Sequence, residues 1–398
     1  MRRVVITGMG VTAPVGFDLE TFWNGLIGSK NIFAESTVLP GSGILVGAID
    51  AATSFDDLPL ASLSPCDRNA VLAVSAARSA LQNAGFEGRF ENPERVAVVV
   101  GNGSGGLVSV EEQYDRLFKQ GVRRPHPFTI VRAMVSSSAS WISLAFGTKG
   151  PCFVMSSACA SATQAIGTAT QLIRSGIVDI ALAGGTEAPL SLGTVLAWDA
   201  MRVMSRKKCR PFSRTRDGMM ISEGAGILIL ESDEHARRRG AEPLAEVAGF
   251  ASNADGVDIV APSVDGMARA MQGAIADAGI TANDVAYVNA HGTGTAANDS
   301  TETKAMKAVF GGRLPPISSI KGITGHSLGA AGAFEAVATV LAMTKSLAPP
   351  TANFEEADPA CDIDVIPNHA RAMSIETAIS NSFAFGGINA SLVLRQAA

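Results

Sequence analysis

The chain has 398 residues, of which 47% are hydrophobic and 17% charged, with 41 glycines and a formal net charge of -5. That composition excludes a disordered or fibrous chain and points to a glycine-rich α/β body of roughly two or three domain-sized units. The negative charge argues against a general nucleic-acid or anionic-membrane binder, because both partners reward a strong positive field.

The N-terminal MRRVVITGMG carries two arginines, but glycines break the apolar run that follows, so it reads as neither a secretory signal nor a membrane span. Val4 to Ala13 reads as a strand with Gly8-x-Gly10-x-x-Ala13, a partial dinucleotide fingerprint. That fingerprint needs a helix opening on the loop. Here Pro14, Val15 and Gly16 intervene before a helix expected from Asp18, and Glu35, the only acid at about the right distance, lies outside a clear strand end, so a dinucleotide enzyme is disfavoured.

Further along, Cys152 to Met155 reads as a short strand and Ser156 to Ala158 as a turn. Ala162, Ile166, Ala169 and Ile173 then mark one face of a helix closed by Arg174 and Gly176. Ile177 to Ala183 reads as the next strand, ending in Gly184-Gly185, which makes a β-α-β unit of the kind that builds parallel sheets. After the charged helix end His235 to Gly240, a second block opens near Leu244. It holds a helix at Met267 to Ala278, a strand at Val285 to Asn289, a glycine-threonine loop at His291 to Thr295 and a helix at Asp299 to Phe310.

Strand and glycine-rich loop recur in both blocks, Val98 to Gly106 loosely matching Ala286 to Thr295, which hints at internal duplication. The boundary is placed near Glu242, giving halves 1–242 and 243–398 that pack as one body. The apolar stretch Leu328 to Met343 carries Glu335 and falls short of the ~20 residues that a span needs. A cytoplasmic enzyme is therefore expected.

Five cysteines (66, 152, 159, 209, 361) are scattered without a C-x-x-C pair, so neither a disulfide framework nor a metal site is indicated. Cys159 falls at the first turn of the predicted helix, where unpaired amides and the helix dipole favour a thiolate. Its neighbours Ser157, Ala158, Ala160 and Ser161 are small and leave room for a substrate. Position alone leaves nucleophile and buried small hydrophobe both open. Two of the five histidines, His291 in NAHGTGT and His326 in KGITGHSLGAAGA, sit in glycine-rich turns, which strengthens the catalytic reading. His235 reads as part of a solvated helix face.

SSACASATQAIG (156–167), AHGTGTAANDSTET (290–303), SSIKGITGHSLGAAGAFE (318–335) and SNSFAFGGINASL (380–392) resemble, in order, the signature segments of β-ketoacyl-[acyl carrier protein] synthases. RPFSRTRDG with EGAG, and the N-terminal VVITGMGVTAPVG, extend the resemblance over nearly the whole chain. The synthase II type and nodulation-type relatives are the most similar in style. The resemblance implies a thiolase-like α/β fold, five-layered α-β-α-β-α with two similar halves, usually as a homodimer, with pairing to a related subunit as the alternative. It implies Cys159 as the acyl-accepting nucleophile, with the amides of Cys159 and Phe385 as oxyanion hole. His291 and His326 would bind the malonyl thioester carbonyl, supported by Lys321. Thr293 and Thr295 would hold the phosphopantetheine arm, Phe383 and Gly386 would contact substrate at a gate, and Val110 would line the acyl tunnel. Asp299, Glu302 and Glu335 would act indirectly. No cofactor of its own is implied, since the carrier protein brings the pantetheine arm.

The gate departs from the commoner Gly-Phe-Gly-Gly-Thr-Asn, with Ala384 and Ile388 in its first and fifth places, and Val260 stands where threonine is common. Ala384 should restrict how the loop opens, because a Cβ forbids backbone angles that glycine permits. Arg123 and Arg124, with Arg202, Arg206, Lys207 and Lys208, form two basic clusters suited to steering an acidic acyl carrier protein, or simply solvated faces. A non-catalytic chain-length partner would typically lack the cysteine, which is present here. A non-decarboxylating thiolase would need a second cysteine near the C-terminus, and Cys361 lacks the glycine-rich setting for it.

Overall fold

The computed structural model describes residues 1–88 and 90–397. Its first part runs β1 (Val4–Thr12), α1 (Leu19–Ile27), α2 (Arg68–Asn83), β2 (Val96–Gly101), α3 (Leu107–Tyr114), α4 (Ser137–Phe146), β3 (Cys152–Met155), α5 (Ser161–Arg174), β4 (Ile180–Glu187), α6 (Leu192–Ala200) and β5 (Gly224–Ser232). After α7 (Asp233–Arg238) the chain continues through β6 (Ala245–Ala254), α8 (Val264–Asp277), β7 (Tyr287–Asn289), α9 (Ala296–Phe310), β8 (Ile317–Ser318), α10 (Ala331–Lys345), β9 (Thr377–Ala384) and β10 (Ile388–Gln396).

These strands pair in the order β8-β7-β9-β10-β6-β1-β5-β4-β2-β3. Outward from the centre, β1-β5-β4-β2-β3 and β6-β10-β9-β7-β8 repeat one order, and each pairs antiparallel twice and then parallel twice. The two runs meet at a narrow seam of Val5 with Glu246 and Ile6 with Ala245. β2 and β7 thus hold the same place, so the glycine-rich loops matched by sequence are topological equivalents.

Helices α5 and α10 lie between the two runs, α2 and α4 cover the outer face of the first, and α8 and α9 that of the second. This is the five-layered thiolase-like α/β fold. Strand β2 is all apolar because both its faces are covered; Val98, Val99 and Val100 are fully buried, each contributing roughly 1.5–3 kcal/mol. The middle layer is rich in small residues because helices there touch one another and both sheets. A Cβ on Gly332 of α10 would stand 2.1 Å from Thr163 Oγ1 of α5, and one on Gly167 would stand 2.2 Å from the Phe250 ring. Leu328–Lys345 has the length and hydropathy of a membrane span, but 89% of it is buried inside the fold.

Several boundaries moved. Asp18 caps α1 as expected, its carboxylate accepting Thr21 N. Gly8 and Gly10, however, sit inside β1, where a Cβ would strike Ala80 O at 2.5 Å and Ala76 O at 2.2 Å of α2. Those glycines serve strand–helix packing, and the dinucleotide reading has no loop to stand on. Strand β4 starts at Ile180 and runs through Gly184-Gly185 to Glu187. The glycines do not end it, because each lies against backbone, Gly226 O and Gly329 O respectively, where a side chain has no room. Helix α9 starts at Ala296, three residues before the expected Asp299, capped by the Thr295 hydroxyl.

Candidate active site

Three loops converge where the two runs face each other. Cys159 sits in a single 3-10 turn, Ala158–Ala160, that leads from β3 into α5. Its amide belongs to the unpaired donors at a helix start. His291 follows β7, and His326 follows β8 just ahead of another 3-10 turn, Leu328–Ala330, that leads into α10. Cys159 Sγ lies 3.0 Å from His326 Nε2. The two imidazoles stand edge to face with centroids 5.3 Å apart, and one sulfur and two ring nitrogens fall within 4.8 Å of one another.

Lys321, 1% exposed, lies behind His291. Its ammonium is 3.3 Å from His291 Nδ1, donates to the His291 carbonyl and pairs with the buried Glu335 carboxylate. Lysine can only donate, so His291 Nδ1 accepts and the neutral ring carries its proton on Nε2. Burial first, and the Lys321 charge second, hold both His291 and His326 well below the usual imidazole range. Both rings are therefore neutral near pH 7.

Glu302 fixes the His291 loop by accepting the amides of His291 and Gly292, each at 2.8 Å, and burial pushes its carboxyl up to about 7. Asp299 accepts Phe212 N at 2.7 Å and Gly294 N at 3.3 Å. Both acids act on backbone, which keeps the glycine-rich loop in one conformation.

The thiol corrects one expectation. Cys159 is 6% exposed, and burial pushes it up to about 12 in spite of the Lys321 charge, which pulls the other way. Desolvation outweighs the Lys321 charge, which favours a neutral thiol against a neutral imidazole.

A cavity of about 130 Å³ opens on this cluster. Cys159, His291, Thr293, Thr295, His326, Phe383 and Phe385 line it together. Thr293 and Thr295 hydroxyls are 2.8 Å apart. Phe385 and Gly386 belong to the three-residue turn joining β9 to β10, and Phe385 stacks at 6.0 Å on Trp198 of α6. Gly386 anchors that turn by donating to Ile259 O. Ala384 and Val260 line the cavity, and Ile388 faces the turn, 3.7 Å from where a Cβ on Gly386 would stand. Lys321 stays behind His291 and does not reach the cavity.

Val110 does not join the cavity; it is half-buried on α3. Trp198, Val203, Met219 and Met267 supply the apolar wall of this cavity. Sequence reasoning missed these four, and their only signal is hydrophobicity. The six basic residues Arg123, Arg124, Arg202, Arg206, Lys207 and Lys208 are all exposed and none lines this cavity. Arg206 is tied to Asp199 at 2.7 Å, and Lys207 and Lys208 line a separate hollow beside Lys30.

Residues 1–236 match the family model of the β-ketoacyl synthase N-terminal domain, and residues 244–355 that of its C-terminal domain. The chain belongs to the β-ketoacyl synthase family. This synthase is 43% identical to "Nodulation protein E" of Rhizobium sp. (strain N33) and 38% identical to "3-oxoacyl-[acyl-carrier-protein] synthase 2" of Coxiella burnetii, in each case with 99% of this chain and at least 98% of the relative covered. Among solved structures it resembles the ishigamide ketosynthase/chain length factor, with a TM-score of 0.95 at 32% identity, and a β-ketoacyl synthase from Burkholderia phymatum STM815, with 0.94 at 38%; both chains are covered fully in each case. The synthase is an acyltransferase that makes β-ketoacyl-[acyl carrier protein].

Proposed function

We propose that Cys159 carries the acyl chain through a decarboxylative condensation with malonyl-acyl carrier protein. The observation that supports this best is the 3.0 Å contact between Cys159 Sγ and His326 Nε2 at the end of a cavity shared with His291. In the first half-reaction the thiol attacks an acyl thioester as its proton passes to His326 and on to the departing carrier thiol. The amides of Cys159 and Phe385 hold the oxyanion.

In the second half-reaction, with the hydrogen of neutral His326 now on its cavity-facing Nε2, malonyl thioester loses carbon dioxide, and the enolate oxygen is held by N-H donors of His291 and His326. Lys321 keeps the His291 donor aimed into the cavity. The enolate carbon attacks the acyl-Cys159 carbonyl; a carbon-carbon bond forms, the carbon-sulfur bond breaks, and the departing thiolate takes up one proton from solvent. Neither step calls on a cofactor of the protein's own. Thr293 and Thr295 bind the pantetheine arm, while Phe383, Phe385 and Gly386 close over it.

On this reading residues 1–242 form the half that bears the nucleophile and 243–398 the half that bears both histidines and the gate. Arg123, Arg124, Arg202, Arg206, Lys207 and Lys208 steer the acidic carrier. One solved relative is described as a type II polyketide synthase acyl-carrier protein in complex with its ketosynthase, and another as a ketosynthase in complex with its chain length factor. By analogy the synthase works in the cytoplasm as a dimer and meets a carrier protein.

Intact-mass measurement after incubation with an acyl-carrier thioester tests the assignment. Cys159→Ala should remain folded and take no acyl group; an adduct persisting on that variant refutes it.

A further inference from the structure

Strand β4 ends on Glu187, which is fully buried and reaches both halves of the molecule. One carboxylate oxygen accepts the amides of Gly103 at 2.8 Å and Gly329 at 2.9 Å. The other accepts the Ser104 amide at 3.2 Å and the Ser104 hydroxyl. All three nitrogens donate, so both oxygens act as acceptors, while burial pushes the carboxyl's pKa up against the pull of these donors. No Lys or Arg of the described residues pairs with it. Carrying a buried charge without a counter-ion is unfavourable, and tying loops together does not require one.

Gly329 is the counterpart of Cys159. Each is the middle residue of a 3-10 turn that follows the third strand of its half and leads into a middle-layer helix. The turns begin alike, with Ala158 at φ 48° and Leu328 at φ 47°. They differ in what meets the central amide. The Cys159 turn opens on the cavity, whereas the Gly329 amide is taken by Glu187. The site is shaped for that carboxylate, since a Cβ on Gly329 would stand 2.5 Å from its oxygen and one on Gly103 would stand 2.8 Å from it.

We propose that Glu187 is a positioning residue for the condensation: it occupies the helix start that mirrors the Cys159 turn and thereby holds Gly329, and His326 three residues before it, against the sulfur. The consequence is one open helix start and one filled one. Its charge also faces Cys159 together with Glu335, while Lys321 opposes both and the neutral His291 and His326 complete the surroundings. This proposal rests on Cys159 being the nucleophile.

The full-length protein is tested as Glu187→Gln, which keeps size and removes charge, and as Glu187→Asp, which keeps charge and shortens the reach. Condensation kinetics and the pH profile of Cys159 alkylation by iodoacetamide, followed by intact mass, are the readouts. Glu187→Gln should lower kcat by about tenfold or more with KM for malonyl carrier nearly unchanged. Its alkylation profile should shift toward lower pH, because a negative neighbour that raises the thiol is gone. Glu187→Asp should lower kcat and keep the wild-type alkylation profile.

Wild-type kcat in Glu187→Gln, or an unshifted alkylation profile with only a loss of thermal stability, overturns the proposal. If Glu187→Gln does not fold, Glu187→Asp decides, since wild-type kcat there overturns it equally. Failure of the unsubstituted protein to alkylate or acylate at Cys159 instead overturns the nucleophile reading, and this proposal falls with it.

Discussion

The two halves of this synthase have the same strand order, the same pairing sense and the same 3-10 turn before a buried helix, yet they do opposite jobs at that turn. In the first half the turn presents a thiol to a cavity; in the second it presents a bare glycine amide to a carboxylate, and the histidine just before it leans across to the thiol. Duplication supplied two equivalent helix starts facing each other, and specialisation made one the reaction centre and the other its support. The fold therefore provides proximity, while the side chains decide polarity.

The largest effect expected from breaking the comparison falls on His326, the residue by which the second half reaches the first. His326→Ala should cut malonyl decarboxylation by about 10²–10⁴-fold, read as carbon dioxide released from malonyl carrier alone; release at an undiminished rate would count against the assigned role. Next comes the buried Lys321–Glu335 ion pair of the second half. Lys321→Ala leaves the Glu335 carboxylate unpaired and should cost about 3–5 kcal/mol in urea unfolding, besides freeing His291.

Gly329→Ala sharpens the contrast directly. Its Cβ would stand 2.5 Å from both Glu187 Oε2 and Gly103 N, so it should cost about 1–3 kcal/mol by overpacking, although the equivalent place in the first half accommodates a whole cysteine. A stability equal to wild type would show that the two turns are less different than the geometry says. For the thiol itself the sign is set by burial: with its pKa raised from 9.0 to about 12, the thiolate fraction keeps growing well above pH 9. Alkylation of Cys159 should keep rising about tenfold per pH unit where an exposed cysteine has levelled off, and a plateau near pH 9 would contradict the burial. Smallest is the gate. Ala384→Gly should relax discrimination among acyl primers by less than about tenfold, measured as kcat/KM across chain lengths.

Much of this was legible from sequence. Cys159, His291, Lys321 and His326 lie in short glycine-rich segments whose spacing resembles a family pattern, and the structure brings their side chains together behind one cavity. Thr295 was legible only in part, because its hydroxyl both lines the cavity and caps α9. Trp198, Met219 and Glu187 left no motif. They reach the site from elements far from Cys159 or His326 in the chain, and nothing local distinguishes a wall residue from any other core residue. Val110 shows the converse: a residue assigned by family position lies away from the cavity that the chain forms by itself.

What the sequence determined by itself was the alternation of short apolar strands with small-residue helices and the placing of reactive residues at helix starts, since both depend on periodicity and turn chemistry within a dozen residues. Only the tertiary structure decided that the two halves repeat one strand order, that one helix start is left open and the other filled by Glu187, and that the thiol rests protonated. Those outcomes depend on desolvation and on contacts between segments more than a hundred residues apart, and no local pattern records what a buried charge will face.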